Sequence, residues 1–266
     1  MANGGGLEAE RPRPALSIVL AILNERPSLA ELFDRLSRAT LPGWEAIVVD
    51  DGSTDGSREF VGALAQQDPR VRLLLHEGRQ TTVAAQCQGI SAAQGAFVAV
   101  MDSDLQHPPE LLGPMVQQLE AGAALVVASR YAAGGTPGPR PALRAVISRG
   151  AEWTAKLLVP PAREVTDPVS GFFAFRRSAF VPIAPGQRGY KLLLFLLVMT
   201  EGLPVREVPF RFELRTEGAS KVTSGLAFVR LFLVEVILAR RLRRRLRRER
   251  RVGGQPGVAV APARPP

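Results

Sequence analysis

The feature of this sequence that most restricts its fold is a regular alternation of short apolar runs with longer amphipathic stretches over residues 16–128. The apolar runs are nearly continuous, which is typical of strands buried on both faces, and the stretches between them have the length of helices. We predict strands at residues 16–23, 46–49, 71–75, 96–101 and 124–128, and helices near 27–39, 55–67, 79–93 and 108–121. This order predicts an α/β protein whose mostly parallel sheet is covered by helices on both faces.

The composition excludes several classes of protein. Of the 266 residues, 46% are hydrophobic, which is enough for a substantial core and rules out a disordered or fibrous chain. The net charge of +9 would suggest a nucleic-acid partner if it were spread over one face. Nine arginines and one glutamate within residues 240–251 account for nearly all of it, so the rest of the chain is close to neutral. The single cysteine, Cys87, excludes an intrachain disulfide and fits a reducing compartment such as the cytosol.

Composition also divides the chain into parts. Residues 1–14 and 252–266 are rich in glycine and proline, and we expect both ends to be disordered. Residues 15–221 form the expected folded domain, and residues 222–251 combine an apolar stretch with the arginine-rich run. We interpret the apolar run at 15–23 as the first strand and not as a signal peptide, because a polar turn follows it without a cleavage site.

The apolar stretch at residues 222–239 has the length of a membrane span, since a helix of this size is about 27 Å long and the hydrocarbon core is about 30 Å thick. Arg230 and Glu235 lie within it on different helical faces, which opposes insertion. We therefore expect a helix that lies on a membrane surface or against a partner, with the basic run attracted to anionic lipid. The alternative is a solvated, charged helix end.

An acidic cluster follows the fourth predicted strand. In an extended chain, Asp102, Asp104 and Gln106 would share one face, about 6.5 Å apart, so that two carboxylates and an amide oxygen could converge on a cation. Such oxygen ligands favour Mg²⁺ or Mn²⁺, which often complete their shell with substrate phosphates. The alternative is a solvated acidic turn before the next helix, with Asp104 as a cap-like residue.

A second acidic cluster, Asp50 and Asp51, follows the second strand. Carboxylates at this edge of a parallel sheet can accept hydrogen bonds from a nucleobase or ribose. The alternative is a turn and helix cap served by Ser53, Thr54 and Asp55. Both acidic clusters end neighbouring strands of one predicted sheet, and this favours a nucleotide site.

Several motifs in a fixed order resemble the inverting glycosyltransferases of family 2, which have the GT-A (Rossmann-like) fold. The first four are Leu-Asn-Glu at 23–25, Val-Val-Asp-Asp-Gly-Ser-Thr-Asp at 48–55, Asp-Ser-Asp-Leu-Gln-His-Pro-Pro-Glu at 102–110 and Ser-Arg-Tyr at 129–131. The later ones look like dolichyl-phosphate mannose synthases: Asp-Pro-Val-Ser-Gly-Phe-Phe at 167–173, Gly-Tyr-Lys at 189–191 and Phe-Glu-Leu-Arg-Thr-Glu-Gly-Ala-Ser-Lys at 212–221. The similarity covers about residues 16–221 and rests on the order of the motifs.

The resemblance implies a donor site. It assigns the metal to Asp102, Asp104 and Gln106, and the remaining donor contacts to residues near the ends of the first two strands. These nucleotide-binding candidates, with Asp102, are Ala21, Leu23, Glu25, Asp50 and Asp51. The family usually has proline at the position of Ala21 and an aromatic residue at that of Leu23. For Asp167 the alternatives are a contact to sugar hydroxyls and a cap for the turn that follows.

The resemblance also implies an acceptor site for a polyprenyl monophosphate. Its phosphate would contact Arg130, Arg144 and Ser148, and the loop closing over the phosphates would carry Arg215, Ser220 and Lys221. A phosphate oxygen is already a nucleophile, so this reaction requires positioning and charge neutralisation instead of a general base. The candidate catalytic residues are therefore Arg130, Arg144 and Asp104, together with a divalent metal that stabilises the departing nucleoside diphosphate.

The predicted function is the transfer of mannose from GDP-mannose to a polyprenyl phosphate, with inversion, at the cytoplasmic face of a membrane. The protein would bind there peripherally, by its own helix or through a small membrane subunit. An alternative within the family is another donor, such as UDP-glucose or an aminosugar nucleotide. A nucleic-acid-binding function of the arginine-rich run is disfavoured by the near-neutral body, and an inactive scaffold by the presence of the metal and phosphate candidates.

Overall fold

The computed structural model describes residues 13–39, 41–75, 81–138, 142–183, 191–212 and 225–251. Seven strands form one sheet, and in chain order they are β1 (Leu16–Ile22), β2 (Trp44–Asp50), β3 (Val71–Leu75), β4 (Phe97–Met101), β5 (Leu125–Ser129), β6 (Phe173–Arg176) and β7 (Val205–Pro209). The described helices are α1 (Arg26–Arg38), α2 (Ser57–Gln67), α3 (Thr82–Ala92), α4 (Leu112–Glu120), α5 (Ala142–Leu158), α6 (Leu193–Met199) and α7 (Gly225–Arg251). Short 3₁₀ helices lie at Pro109–Leu111, Pro160–Glu164 and Arg177–Ala179.

The strands lie in the order β3-β2-β1-β4-β6-β5-β7, and the five strands and four helices predicted for the first half of the chain are confirmed within a few residues. Strands β1, β2 and β4 are buried along nearly their whole length, which explains their almost continuous apolar sequences. The pairs of β1 with β2 and β4, of β2 with β3, and of β5 with β7 are parallel. The carboxyl ends of these strands therefore meet at one edge of the sheet.

Strand β6 is antiparallel to both of its neighbours, β4 and β5. Phe173 at its start pairs with Val100 of β4 and Val127 of β5. Because β6 runs in the opposite direction, the segment that precedes it lies at the edge where β4 and β5 end. The motif at 167–172 thus reaches the same edge as the two acidic clusters.

The core consists of one apolar layer on each face of the sheet. Neighbouring residues of β1 point to opposite layers, with Val19 in one and Ile18 and Leu20 in the other. Every residue of α6 is buried in the first layer, below α7. At about 1.5–3 kcal/mol for each fully buried large apolar side chain, these layers are a major source of stability.

Helix α7 packs against α5 and α6 through buried residues that include Phe232, Val236 and Ala239. The predicted helix at 222–239 is confirmed from residue 225 and continues through the arginine-rich run to Arg251. Within the described ranges, we find no helix that combines the length and apolarity needed to cross a membrane. The predicted domain boundary at residue 221, residues 1–12 and the tail at 252–266 lie outside the described residues.

The arginine-rich part of α7 has one side bound to the protein. Arg243 and Arg247 contact the Glu201 carboxylate at 2.6 and 2.8 Å, and Arg250 donates to the carbonyls of Met199 and Glu201. These carbonyls lie at the carboxyl end of α6, where cations are favoured by the helix dipole. Part of the basic run is therefore structural, whereas other members, such as Arg244 and Arg248, are exposed.

Candidate active site

Two turns at the carboxyl ends of β1 and β2 are joined by hydrogen bonds. The backbone N of Asn24 donates to Ser53 Oγ at 2.9 Å, and Thr54 N donates to Asn24 Oδ1 at 2.8 Å. Glu25 N donates to Ser57 Oγ at 3.0 Å. Asn24 adopts a left-handed φ of 53°, a conformation that asparagine tolerates better than most residues. The loops predicted to hold the nucleoside thus form one connected unit.

The Asp50 carboxylate lies fully buried within this unit. Its Oδ1 accepts a hydrogen bond from Ser53 N at 3.0 Å, and its Oδ2 lies 2.8 Å from Arg58 Nη2. Asp51 is also largely buried, and its backbone N donates to the carbonyl of Ile22 at 3.0 Å. Asp50 therefore holds the turn through its own carboxylate, a role that the structural alternative had given to Ser53, Thr54 and Asp55, and nucleoside binding by either aspartate stays a prediction.

The other nucleotide-binding candidates lie beside these turns. Ala21 is in β1 and pairs with Val49 of β2, and Leu23 follows the end of the strand. Glu25 directly precedes α1 and is partly exposed. The structure thus brings all of these candidates to one edge of the sheet, with Asp102 at the end of the adjacent strand β4.

The predicted metal ligands lie in a tight bend, and the expectation of an extended chain is wrong for this segment. Leu105 has a left-handed φ of 64°, and Asp104 Oδ1 accepts a hydrogen bond from Gln106 N at 3.1 Å. A positive φ at a leucine is an uncommon, strained conformation that is often found at functional sites. The alternation of faces expected for an extended chain therefore does not apply to this segment.

These three side chains fit a divalent cation that carries substrate phosphates. The Asp102 side chain is 51% exposed, and Asp104 and Gln106 are partly exposed, so oxygen ligands face solvent at the sheet edge. Mg²⁺ and Mn²⁺ prefer such ligands and keep several positions for water or phosphate. Across the described part of the chain, no group of three or more His, Cys, Asp or Glu side chains is arranged to hold a metal, and the predicted set has only two carboxylates.

His107 supports the acidic bend from below. Its Nδ1 accepts a hydrogen bond from the backbone N of Asp102 at 3.0 Å, and its ring stacks on Phe172 at 5.2 Å between centroids. The edges of Phe210 and Phe212 complete the surroundings. Burial lowers the pKa of His107 to about 4, so the ring is neutral and its Nδ1 can accept this hydrogen bond. His107 is therefore a buried support of the bend and not part of an exposed turn.

Gly171, in the segment before β6, lies against the same bend. A Cβ at this position would lie 3.3 Å from Asp102 Oδ2 and 3.2 Å from His107 Cε1. The close approach of this backbone to the acidic bend therefore favours glycine, because a Cβ would fit only if Asp102 and His107 moved by a few tenths of an ångström.

Arg130, at the carboxyl end of β5, forms a buried ion pair with Asp167. Its Nε and Nη2 donate to the two carboxylate oxygens at 2.7 and 2.9 Å, and Asp167 has no exposed surface. Burial alone would lower the pKa of Arg130, but the hydrogen bonds and charge of Asp167 outweigh it and raise the pKa. The guanidinium is thus permanently charged and held in one orientation.

Asp167 is itself held by a residue that the sequence did not single out. Glu207 of β7 accepts hydrogen bonds from Thr166 N at 2.9 Å and from Asp167 N at 3.4 Å. The structure assigns the Asp167 carboxylate to Arg130, an arrangement that neither sequence interpretation included. A contact between Asp167 and the sugar stays a prediction.

The remaining acceptor candidates are only partly described. Arg144 and Ser148 both lie in α5, one turn apart, as predicted, and the side chain of Arg144 is outside the described residues. Ser148 Oγ donates to Oε1 of the buried Glu152 at 3.3 Å. Arg215, Ser220 and Lys221 lie outside the described residues.

Lys191 is a further charged residue of the site, and the sequence signalled it only through the Gly-Tyr-Lys motif. Its backbone N donates to Oε1 of the buried Glu235 of α7 at 2.6 Å. Burial and then Arg130 lower the pKa of Lys191, whereas Asp102, Glu235 and Asp167 oppose the shift. The charge of Lys191 therefore interacts with Asp102 of the acidic bend and with both members of the Arg130–Asp167 pair.

The fold and site define a nucleotide-sugar transferase. Residues 17–182 match the family model of glycosyl transferase family 2, and the chain belongs to this family. It is therefore a glycosyltransferase with a GT-A-like fold.

The names of curated relatives specify both the sugar and the acceptor on which those proteins act. The chain is 35% identical to a dolichol-phosphate mannosyltransferase of Pyrococcus furiosus, over 80% of this chain and 60% of that protein. It is 36% identical to the dolichol-phosphate mannosyltransferase of Saccharomyces cerevisiae, over 76% of this chain and 77% of that protein. It is also 32% identical to the polyprenol monophosphomannose synthase of Mycolicibacterium smegmatis, over 81% and 83%. This chain thus spans less than two thirds of the Pyrococcus protein but most of the other two.

Solved structures show the same fold. Glucosyl-3-phosphoglycerate synthase from Mycobacterium tuberculosis, in complex with UDP, superimposes with a TM-score of 0.62 at 24% identity, over 85% of this chain and 80% of that one. The same enzyme in complex with Mn²⁺, UDP-glucose and phosphoglyceric acid superimposes with a TM-score of 0.61 at 23% identity, over 85% and 78%. These similarities support the fold assignment. The second complex also shows that a protein of this fold binds a divalent cation.

Proposed function

We propose that this glycosyltransferase moves mannose from GDP-mannose to a polyprenyl monophosphate, with inversion at the anomeric carbon. The observation that carries the proposal is the arrangement at one sheet edge of an acidic, half-exposed bend and the fixed, charged Arg130. The segment before β6 contacts both, with Gly171 at the bend and Asp167 on Arg130. The identity of the chain to mannosyltransferases supports mannose as the sugar.

The chemistry of the acceptor explains why such a site needs no dedicated base. A phosphate monoester carries between one and two negative charges near neutral pH, since its second pKa is about 6. Arg130 would orient this phosphate beside the anomeric carbon, assisted by Arg144 and Ser148. The hydrogen bonds to Asp167 use Nε and Nη2 of Arg130. We assign the third nitrogen of the guanidinium group, Nη1, to the acceptor phosphate.

The donor diphosphate would be held at the acidic bend. Asp102, Asp104 and Gln106 would bind Mg²⁺ or Mn²⁺, which supplies charge neutralisation to the leaving nucleoside diphosphate. His107 and Gly171 maintain the shape of the bend. Lys191 adds a positive charge that interacts with both this bend and Arg130, and it would help to neutralise the negative charge that collects during transfer.

A direct assay tests the proposed function. Purified protein is incubated with a short polyprenyl phosphate, Mg²⁺ or Mn²⁺, and either GDP-mannose or UDP-glucose, and the glycolipid is detected by mass spectrometry. We expect product from GDP-mannose in the wild type and in Asp34→Asn, an exposed control on α1, but not in Asp104→Asn. Product from UDP-glucose alone would contradict the donor assignment, and product in Asp104→Asn would contradict the metal site.

We also propose that the protein binds peripherally to the cytoplasmic face of a membrane. Helix α5 exposes Val146, Trp153 and Leu157 along one face, and Trp153 is 75% exposed. Helix α7, which packs against α5, exposes Val229, Leu233, Val234 and Ile237. Exposed apolar residues on two packed helices, together with the exposed arginines of α7, are the features that suit an anionic lipid surface. One of these helices, α5, carries Ser148, so a membrane-borne acceptor would reach the site directly.

Vesicle flotation distinguishes direct membrane binding from binding through a small membrane subunit. We expect the purified chain to float with vesicles of phosphatidylcholine and phosphatidylserine, and to do so less when Trp153 and Leu157 are both replaced by alanine. Leu75→Ala, which removes an exposed apolar side chain of β3, is the matched control. A chain that stays unbound would favour membrane binding through a small membrane subunit.

A DNA-binding assay tests the nucleic-acid alternative. We expect no binding, and salt-dependent binding of duplex DNA would support that alternative.

A further inference from the structure

A buried carboxylate lies inside the proposed acceptor site, and the transfer reaction described above does not use it. Glu152 of α5 is only 4% exposed and accepts hydrogen bonds from Ser148 Oγ, at 3.3 Å, and from the Tyr131 hydroxyl. The guanidinium of Arg149 lies 4.9 Å from the centre of the Tyr131 ring, and that of Arg130 lies 5.5 Å from it. Glu152 therefore shares its surroundings with the cation proposed to hold the acceptor phosphate.

An ionised Glu152 would oppose phosphate binding in two ways. Two anions in a buried site repel each other, and this repulsion is only weakly screened by solvent. In addition, a serine hydroxyl has a single proton, and Ser148 donates it to Glu152 and not outward to a ligand. An anion site with this composition binds phosphate well only if the carboxylate is neutral.

Burial, and not the balance of the neighbouring charges, favours the neutral form of Glu152. Burial raises the pKa of Glu152, the hydrogen bond from Tyr131 lowers it, the charge of Asp167 before β6 raises it, and Arg149 and Arg130 lower it. The net effect is a raised pKa. An incoming phosphate adds negative charge to the same place and raises the pKa further.

We propose that Glu152 belongs to the acceptor site and binds the acceptor phosphate as a neutral acid, through an O–H···O–P hydrogen bond. The inference rests on the proposed function, because it requires a phosphate ester at Arg130 and Ser148. A second phosphate oxygen attacks the anomeric carbon and forms the new C–O bond. The bond from that carbon to the donor diphosphate breaks, and the diphosphate leaves with the electron pair. The proton stays on Glu152 throughout.

The proposal has a consequence for proton uptake. Where Glu152 is ionised in the free enzyme, binding of the acceptor takes up a proton from solvent. The affinity for the acceptor therefore falls as the pH rises above the pKa of Glu152 in the free enzyme, by up to about tenfold per pH unit. A carboxylate that stays ionised in the complex and only holds Ser148 and Tyr131 in place would produce no such linkage.

Calorimetry of the full chain with a short polyprenyl phosphate, in buffers of different ionisation enthalpy between pH 6 and 8.5, measures this uptake. Three proteins are compared: the wild type, Glu152→Gln, and Glu120→Gln on an exposed part of α4 as the control. Glutamine keeps an oxygen for Ser148 and Tyr131 but cannot titrate. We expect up to one more proton taken up by the wild type and the control than by Glu152→Gln, and a tighter acceptor complex in Glu152→Gln at the highest pH.

Equal proton uptake and parallel pH profiles in all three proteins would overturn the inference and leave the proposed function intact. Binding of GDP with Mn²⁺ by Glu152→Gln, at wild-type affinity, confirms that the variant is folded. Wild-type protein that binds GDP but no polyprenyl phosphate at any pH would overturn the proposed function itself, and the inference with it.

Discussion

Replacing Asp167 by asparagine tests the buried pair on which the acceptor site depends. The change keeps the size of the side chain and one hydrogen-bond acceptor for Arg130, but it removes the opposite charge. The pair is 14% exposed at Arg130 and 0% at Asp167, so solvent cannot replace the lost partner. Removal of one member of a buried ion pair costs about 3–5 kcal/mol, because the other charge is left uncompensated. We expect a loss of stability near the lower limit, since asparagine retains part of the hydrogen bonding.

The matched control is Asp34→Asn. Asp34 and Arg38 of α1 are 2.9 Å apart, but their side chains are 47% and 77% exposed, and such surface pairs contribute about 0–1 kcal/mol. Urea denaturation measures the free energy of unfolding of both variants, and steady-state kinetics measure kcat/KM for the acceptor. Loss of a positioning partner typically costs about 10–100-fold in function at comparable sites, and we expect this range for Asp167→Asn. Equal stability and equal kcat/KM in the two variants would refute the assignment of Asp167 to Arg130.

Three further predictions concern the acidic bend, α7 and the cysteine. Gly171→Ala should weaken binding of GDP with Mn²⁺, because the new Cβ would lie 3.3 Å from Asp102 Oδ2. Gly62→Ala, whose Cβ would lie 3.9 Å from its nearest neighbour, should bind GDP normally. Calorimetry measures the affinity of both variants. Burial alone would raise the pKa of Glu201, but the hydrogen bonds from Arg243 and Arg247 outweigh burial and lower it. This carboxylate therefore stabilises the fold above pH 4.5, its ordinary pKa. The stabilisation disappears as the pH falls through the pKa that Glu201 has in the folded protein. Acid titrations of wild type and Glu201→Gln should therefore converge at low pH, and continued separation there would contradict the pair. Burial raises the pKa of the partly exposed Cys87 to about 11, so an aromatic disulfide reagent at pH 8 should modify it far more slowly in the native protein than after denaturation, and equal labelling rates would contradict the raised pKa.

The first half of the fold was predictable because its signals are local. Strands such as β2 and β4 are buried on both faces, and their apolar sequences directly reflect this burial. Strand β6 has an equally apolar sequence, but its antiparallel direction depends on pairing with β4 and β5, which are distant in the chain. Local patterns carry no information on such a pairing, so the inserted strand was not predicted.

The same distinction applies to the site. The place of the acidic cluster was predictable because it directly follows a strand of a parallel sheet, at the edge where ligands bind, whereas its bent backbone at Leu105 was not. The pair of Arg130 with Asp167 joins residues 37 positions apart, and it exists only because β6 brings Asp167 back to the end of β5. The burial of Glu152 was not predictable from the sequence for another reason. A single glutamate in a helix is usually exposed to solvent, and only the fold shows that this one is buried.

The antiparallel direction of β6 also explains how one short segment can set both halves of the reaction. Asp167 at its start orients Arg130, and Gly171 near its end fits against Asp102. The nucleophile and the leaving group must lie on opposite sides of one carbon atom, so their separation matters more than the strength of either contact. In the proposed reaction, the segment between Asp167 and Gly171 would determine that separation without contacting the reacting carbon. A parallel strand between β4 and β5 would place its preceding loop at the opposite edge, where it could contact neither residue.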